Sequence, residues 1–515
     1  MREGRSPALT GVYPEQEGLV TAKATSLAQR THRKVRVLQS KLHQAAKEDL
    51  GRTFGILYDK VCQWEVLWIA WIRVQRNRGA PGVDGRTIQA IKQDGEVEFI
   101  RAIQRELVEK RYKPQAIRRV FIKKPNGKLR PLGIPVVKDR VVQGAVKLVL
   151  EPIFEANFEP ESYGFRPKRS CQHALRSVRK WVTYGYATVI DADISAYFDS
   201  IDQDLLIKLV QKRVRDKWVL RLIREWLKCG IFEQDKVRLA DKGTPQGGVL
   251  SPLLANIYLH PLDKYWVREH PETKLVRYCD DFVVLIRRGR PDGYLQDLQR
   301  FLDMMRLKLS EEKTRVVQAQ RGFDFLGVRL VLKPTRRDRS RQFCYGFPSP
   351  KSMNRIRQKI REEVGRDYYR SLREKVEYLN PILRGWANYF SWLNSGEHFH
   401  KIGRYVMFKD GLDHQFQGRL NYAVLHSRDT ERTLPLALGY VHTSYRLRAI
   451  APVPQRLRQF GQVAVPCLRE SLHAYPVYAR RPSVAFDLCP SQRQRFKTRY
   501  FIDQTMPFAS PNSAL

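Results

Sequence analysis

The sequence predicts an α+β protein on three observations. Two hairpins of short strands fall at residues 118–135 and 274–286, an apolar strand running into acids falls at 187–199, and purely helical periodicity follows Pro348. At 515 residues and 43% hydrophobic content, the chain can bury the cores of two to four domains.

Residues 1–50 are polar and basic, densest at Thr31-His32-Arg33-Lys34-Val35-Arg36, and read as a loose arm that becomes helical. Leu57, Val61, Trp64, Trp68 and Trp71 recur at helical spacing and predict one amphipathic helix with its tryptophans in the core. It ends at Gly79-Ala80-Pro81-Gly82-Val83-Asp84-Gly85, whose turns let backbone approach a nucleic-acid strand or simply form a loop.

The first hairpin joins 118–124 to 128–135 through Pro125-Asn126-Gly127. Its cations suit a clamp over phosphates as well as a solvated basic surface. A helix over 139–158, with Val142, Val146, Val149 and Leu150 on one side, braces it. Residues 162–170 are turn-rich and basic, and 171–181 read as a helix. The run at 187–199 predicts a buried central strand, in which alternation puts Asp191 and Asp193 on one face. An acid at the end of such a strand is costly unless it is used or paired, which favours Asp193 as functional.

Helical periodicity returns over 205–229, and residues 243–259 form a Gly-rich turn opening an apolar helix. Backbone N–H groups at such a junction can face a phosphate or sugar. The second hairpin, with arms 274–278 and 282–286, carries Asp280-Asp281 at its tip. Adjacent acids in so apolar a setting repel unless a divalent cation or basic neighbour holds them, although the commoner fate of such a pair is an exposed turn. Residues 307–314 and 322–328 predict a further turn and a closing strand. Beyond Pro348, Ile356, Ile360 and Val364 share one face, and Leu372, Val376 and Leu379 share another. Asn380-Pro381 predicts the cap and first turn of a separate helix through Leu383, Trp386 and Phe390, while Arg355, Arg357, Lys359 and Arg361 point outward. The remainder is basic and turn-rich, with no legible motif.

Charge narrows the partner. Against 53 Asp and Glu stand 93 Lys and Arg, a net +40, and the densest polyanion available to balance that is a nucleic acid. Aromatic residues, 11% of the chain, offer stacking platforms for bases. A basic protein that merely coats RNA or DNA is the bland alternative. The seven cysteines form no CxxC pair, which points away from zinc and from a disulfide framework. Residues 1–10 lack an apolar signal core, and 61–74 are too short and too interrupted to span a bilayer. A soluble, reducing, cytoplasmic setting without a membrane partner is expected.

Three carboxylates from two neighbouring strands are what two-metal nucleotidyl transfer needs. Mg²⁺ binds through a few carboxylates plus substrate phosphates, and two such ions about 4 Å apart activate a 3′-hydroxyl and stabilise leaving pyrophosphate.

Tyr278-Cys279-Asp280-Asp281 resembles the Tyr-x-Asp-Asp box of reverse transcriptases, and the chain resembles the proteins encoded by bacterial group II introns. The likeness rests on residues 79–85, Arg130-Pro131-Leu132-Gly133-Ile134-Pro135, Tyr163-Gly164-Phe165-Arg166-Pro167, 244–252, Phe325-Leu326-Gly327 and the maturase-like 379–390. It covers roughly residues 55–405.

This resemblance implies a right-hand polymerase. Its parts would be a basic arm at 1–55, an N-terminal extension and fingers at 56–180, a palm with an antiparallel sheet at 181–335, a helical thumb and maturase domain at 336–408, and a basic region at 409–515. Asp193, Asp280 and Asp281 would hold two Mg²⁺ ions with the Ile194 carbonyl, Asp280 being the closer ligand of its pair. Lys124 and Arg130 would grip a deoxynucleoside triphosphate. Gln246 and Gly247 would line its pocket, and Phe198, with Tyr197 as runner-up, would exclude a 2′-hydroxyl. Arg166, Lys168, Arg169, Arg355, Arg357 and Lys359 would bind RNA. Asp191 and Asp199 are left structural.

Two departures follow. Cys279 stands where most relatives have Ala and would touch the primer end or nucleotide sugar. The C-terminal region lacks the paired cysteines and histidines of the endonuclease found in many relatives, so no DNA-cleaving domain is expected. The resemblance implies an RNA-directed DNA polymerase acting on an RNA template, a DNA primer or target and its own intron RNA, whose splicing it assists in a bacterial ribonucleoprotein. A splicing cofactor that acts by binding alone and a domesticated enzyme of defence or repair are the alternatives.

Overall fold

The computed structural model describes residues 14–409 except 124–126, 128, 234–235, 239–241, 245–246 and 365–371, all within a unit spanning Met1–Tyr445. The extreme N-terminus and the region from 410 onward lie outside the described residues.

Helices come first: α1 (Pro14–Glu48), α2 (Tyr58–Val61), α3 (Trp64–Arg76), α4 (Ile88–Asp94) and α5 (Glu96–Val108). The single helix expected over 57–71 is two, interrupted at Cys62-Gln63. The N–H groups of Leu57 and Tyr58 donate instead to Asp216 Oδ2, each at 2.8 Å. Trp71 is core and its Nε1 donates to Glu96, while Trp64 and Trp68 stack half-buried.

β1 (Ile117–Lys123) and β2 (Leu129–Ile134) make the first hairpin. α6 (Val137–Glu155) packs against α1 and α3 and buries most of its residues. α7 (Cys171–Thr183) starts at Ser170, whose hydroxyl accepts from His173 N–H. It leads into β3 (Thr188–Asp193), α8 (Tyr197–Ser200), α9 (Gln203–Gln211) and α10 (Lys217–Lys228). The helical run expected over 205–229 therefore breaks, because Asp216 accepts from Trp218 and Val219 N–H and starts α10 afresh. β4 (Ile231–Glu233) and β5 (Lys236–Arg238) extend the first hairpin into a sheet of order β2-β1-β4-β5, with β4 parallel to β1.

α11 (Ser251–Glu269), β6 (Thr273–Tyr278), β7 (Asp281–Ile286), α12 (Pro291–Met304) and β8 (Arg315–Gln318) complete the central unit. Its antiparallel sheet runs β6-β7-β3-β8, so β3 is central as expected. Ile190, Val284 and Ile286 face one core, and Val189, Val283 and Leu285 face a second, which is why β7 reads as an unbroken apolar run.

β9 (Phe323–Phe325), β10 (Val328–Pro334) and β11 (Gln342–Pro348) form a third sheet. The strand expected over 322–328 is present but shorter, ending at Phe325 in a corner. Leu326 at φ 48° and Gly327 at φ 78° turn β9 back into β10.

α13 (Pro350–Val364), α14 (Leu372–Phe390) and α15 (Gly396–Lys409) follow. Asn380-Pro381 does not start a separate helix, since α14 runs through it. Leu379, Leu383, Ala387 and Phe390 are buried along one face. At roughly 1.5–3 kcal/mol for each large side chain, that burial outweighs the roughly 3 kcal/mol cost of an interior proline. No described helix is long and apolar enough to cross a membrane.

Candidate active site

The second hairpin closes through two residues, Cys279 and Asp280, with Tyr278 opposite Asp281. Asp281, the first residue of β7, is the cross-strand partner of Asp193, the last residue of β3. Two rungs of strand register thus bring acids 88 residues apart to one end of one sheet, with Asp280 on the adjoining turn. Asp191 sits one step inward on the same face, opposite Val283 and Arg315.

The cluster is electrostatically strained. Desolvation in the cleft, then the charges of Asp280, Asp193 and Asp191, push the Asp281 carboxyl up to about 6, although one side of it is open to solvent. Burial likewise lifts Asp191 to about 6; Asp193 and Asp324 add to the rise, and Arg315 and Lys351 oppose it. Lys313 answers this charge. Its Nζ lies 2.7 Å from Asp193 Oδ2, and that bond together with the neighbouring acids raises its own pKa.

An oxygen-only donor set under mutual repulsion suits a hard divalent cation. Among the described residues no three ligating side chains already converge on one point. Carboxylates of this kind suit ions that complete their shells with water and substrate phosphates. Ile194 is buried beside Leu309, and the Asp193 carbonyl accepts from Ser310 N–H at 2.8 Å.

After β3, Phe198 is half-buried in α8, which Ala196 enters at φ 45°. Tyr197 is no substitute for it. Its side chain is core, and its hydroxyl donates to the Ala255 carbonyl at 2.6 Å. The Gly-rich loop is strapped to this helix, since Gly243 N–H donates to Ile201 O and Thr244 N–H to Phe198 O, each at 2.8 Å. Gly247, at φ 118°, lies so close to Gly133 of β2 that a methyl group would overlap the Gly133 carbonyl oxygen. Arg130 is exposed on β2 opposite Ile122. Lys124 and Gln246 lie outside the described residues.

Two expectations are corrected. Cys279 does not face a sugar or primer end: it is 2% exposed, its thiol turned inward and its pKa raised by burial. Arg166 does not face RNA. Its guanidinium is buried, forks onto Glu155 and donates to the carbonyls of Glu159 and Ser162 at 2.6 Å. Lys168 is exposed, whereas Arg169 donates to Pro160 O at 2.5 Å and lies over the Tyr163 ring. Arg355 and Lys359 are exposed and border a cavity of about 530 Å³ with Gly327, Gly385 and Trp386, while Arg357 leans over Tyr405.

Lys313 and Arg277 carry little local signal in the sequence. The signal for Lys313 was faint, a basic residue in a polar turn. For Arg277 it was an arginine inside an apolar strand, with Asn256 and Asp263 seven residues apart on an apolar helix.

Comparison with known proteins places these features in context. Residues 122–330 match the family model described as reverse transcriptase (RNA-dependent DNA polymerase), and 353–408 match that of the group II intron maturase-specific domain. Protein YkfC of Escherichia coli K12 is 36% identical over 341 residues, covering 58% of this chain and 89% of YkfC. The group II intron-encoded protein LtrA of Lactococcus lactis is 31% identical over 355 residues, covering 56% of this chain and 58% of LtrA. A solved partial Cas6-RT-Cas1–Cas2 complex overlays with a TM-score of 0.31 at 22% identity, over 48% of this chain and 42% of that one, too loosely to carry an argument.

Proposed function

We infer the function from one premise: the chain belongs to the group II intron reverse transcriptase and maturase family. It is an RNA-directed DNA polymerase with a right-hand fold and a maturase domain, and its chemistry is divalent-metal dependent. Its substrates are RNA and other nucleic acids.

The observation that carries the finer reading is the pairing of Asp193 with Asp281 beside Asp280. These three carboxylates would hold two Mg²⁺ ions, which when bound activate a primer 3′-hydroxyl and stabilise leaving pyrophosphate. The protein's part is positioning. β3 and β7 fix the acids in register, and Lys313 balances their charge. Phe198 stands on α8, just after β3 and strapped to the Gly-rich turn, where it would crowd a ribose 2′-hydroxyl. Lys124 and Arg130, from the first hairpin, would neutralise the triphosphate. Fingers at 56–180, a palm at 181–335 and a thumb at 336–408 remain the division we propose, with β4 and β5 of the palm span pairing onto the finger hairpin.

Intron RNA is the partner we assign to the basic surface, including Lys168, Arg355 and Lys359, with splicing and mobility as the outcome in a cytoplasmic ribonucleoprotein. The +40 net charge and the maturase match at 353–408 support this. Primer extension on an RNA template with Mg²⁺ and deoxynucleotides tests the polymerase. Wild-type protein extends the primer and Asp280→Ala does not; extension by Asp280→Ala would overturn the site.

A further inference from the structure

Arg277, three residues before Asp280, has no exposed surface. A guanidinium so placed is tolerated only if its charge and its donors are fully matched. Here they are. Nε donates to Asp263 Oδ1 at 2.8 Å, and Nη2 donates to the other oxygen of that carboxylate and to Ser162 Oγ at 2.8 Å. Nη1 donates to Asn256 Oδ1 at 3.1 Å and to the Cys279 carbonyl at 2.9 Å. Asn256 and Asp263 stand seven residues apart on α11, two turns and so one face.

The network ends on the peptide that joins Cys279 to Asp280. Cys279 has φ 61°, a left-handed conformation that an L residue keeps only where its surroundings impose it. The other side of the turn is closed as well. Arg277 N–H donates to Glu161 O at 3.0 Å, Tyr163 N–H donates to Arg277 O at 2.8 Å, and Asn256 Nδ2 donates to Gly164 O at 2.7 Å. Gly164 lies directly against the turn: a methyl there would overlap Cys279 N and come within 2.9 Å of the Tyr278 carbonyl carbon.

We propose that Arg277, held by Asp263 and Asn256, is a positioning residue that fixes the Cys279–Asp280 peptide and so presents Asp280 beside Asp281 and Asp193. It acts through the turn and touches no substrate. The proposal rests on reading Asp280 as a carboxylate of the active centre.

The test uses the full chain and three variants. Arg277→Met alone strands the Asp263 charge, so Arg277→Met/Asp263→Leu removes both charges together. Arg277→Lys keeps the charge but lacks the fork needed to reach every acceptor. Gly164→Ala presses on the turn from the opposite side. Melting temperature, KM for primer–template, kcat, and Mn²⁺ binding without nucleic acid are measured. The double variant and Gly164→Ala are expected to keep KM within about twofold while kcat falls at least about tenfold, the scale set by small misplacements of a reacting group. Mn²⁺ half-saturation rises several-fold in both, and Arg277→Lys falls between them and wild type.

A folded double variant or Gly164→Ala with wild-type kcat and Mn²⁺ half-saturation overturns the proposal. If the double variant does not fold, Gly164→Ala decides alone. Extension by Asp280→Ala in the wild-type background would instead overturn the underlying reading of Asp280, and so the two failures are distinguishable.

Discussion

Lys313 Nζ and Asp193 Oδ2 form a 2.7 Å ion pair, and the charges of Asp281 and Asp280 also act on that ammonium. A divalent ion at Asp193 would compete with that ammonium for the carboxylate. Lys313→Met is therefore expected to tighten Mn²⁺ binding a few-fold, in keeping with the ~0.2–1 kcal/mol of a solvent-screened pair. Calorimetric titration of the nucleic-acid-free protein measures this; unchanged or weaker binding would show that the lysine does not compete.

The raised carboxyls set a pH dependence of definite sign. Asp281 and Asp191 sit near 3.8 when unfolded and are held at about 6 in the fold, so between these values the native state binds more protons. Stability of the metal-free protein accordingly falls as pH rises from about 4 to about 6, while cation affinity climbs over the same window. Asp281→Asn shallows the stability slope and abolishes extension, and at pH 7 it raises the melting temperature by about a degree. Thermal melts across pH, with and without Mn²⁺, check each part.

Gly247→Ala tests the contact between the Gly-rich loop and β2. The added methyl would meet the Gly133 carbonyl, a backbone group with little room to yield, at a φ that alanine resists. An increase in KM for deoxynucleotide of at least about tenfold is expected, the order of a lost positioning contact. Steady-state extension at varied nucleotide concentration measures it.

Arg166 and Arg355 are expected to part company on substitution. Arg166→Ala strands Glu155 and the backbone carbonyls of Glu159 and Ser162, at a cost of about 3 kcal/mol for breaking a buried pair, and leaves the RNA affinity of the folded fraction alone. Arg355→Ala/Lys359→Ala removes exposed charge, lowering RNA affinity and its salt dependence without moving the melt. Chemical denaturation and filter binding separate the two.

Much of this architecture was legible in the residues, because its signals are local. Pro125-Asn126-Gly127 and the β-branched runs around Asp280-Asp281 mark both hairpins, and the apolar run before Asp193 marks the central strand. What escaped was long-range. Asp216 divides a helical run because it caps one helix while holding Leu57 and Tyr58 159 and 158 residues away. Pro381 looked like a start but is carried through by buried neighbours on its own helix. Arg166 looked like a phosphate ligand because no local pattern announces that Glu155 waits for it. Cys279 is hidden from local reading for a related reason: its turn packs against Gly164, far away in the chain.

The parallel pair of β1 and β4 joins residues 117–118 to 231–232, and the strand bearing Asp193 lies between them in the chain. A ribosome delivers β1 and β2 long before β4, so the hairpin's inner edge waits unpaired until the central strand has emerged. Closing it spans more than a hundred residues, a separation that slows folding. The part that would grip the nucleotide is therefore completed only once the strand that would bear the metals has been synthesised, and a nascent chain stopped short of residue 231 lacks the segment that covers that edge.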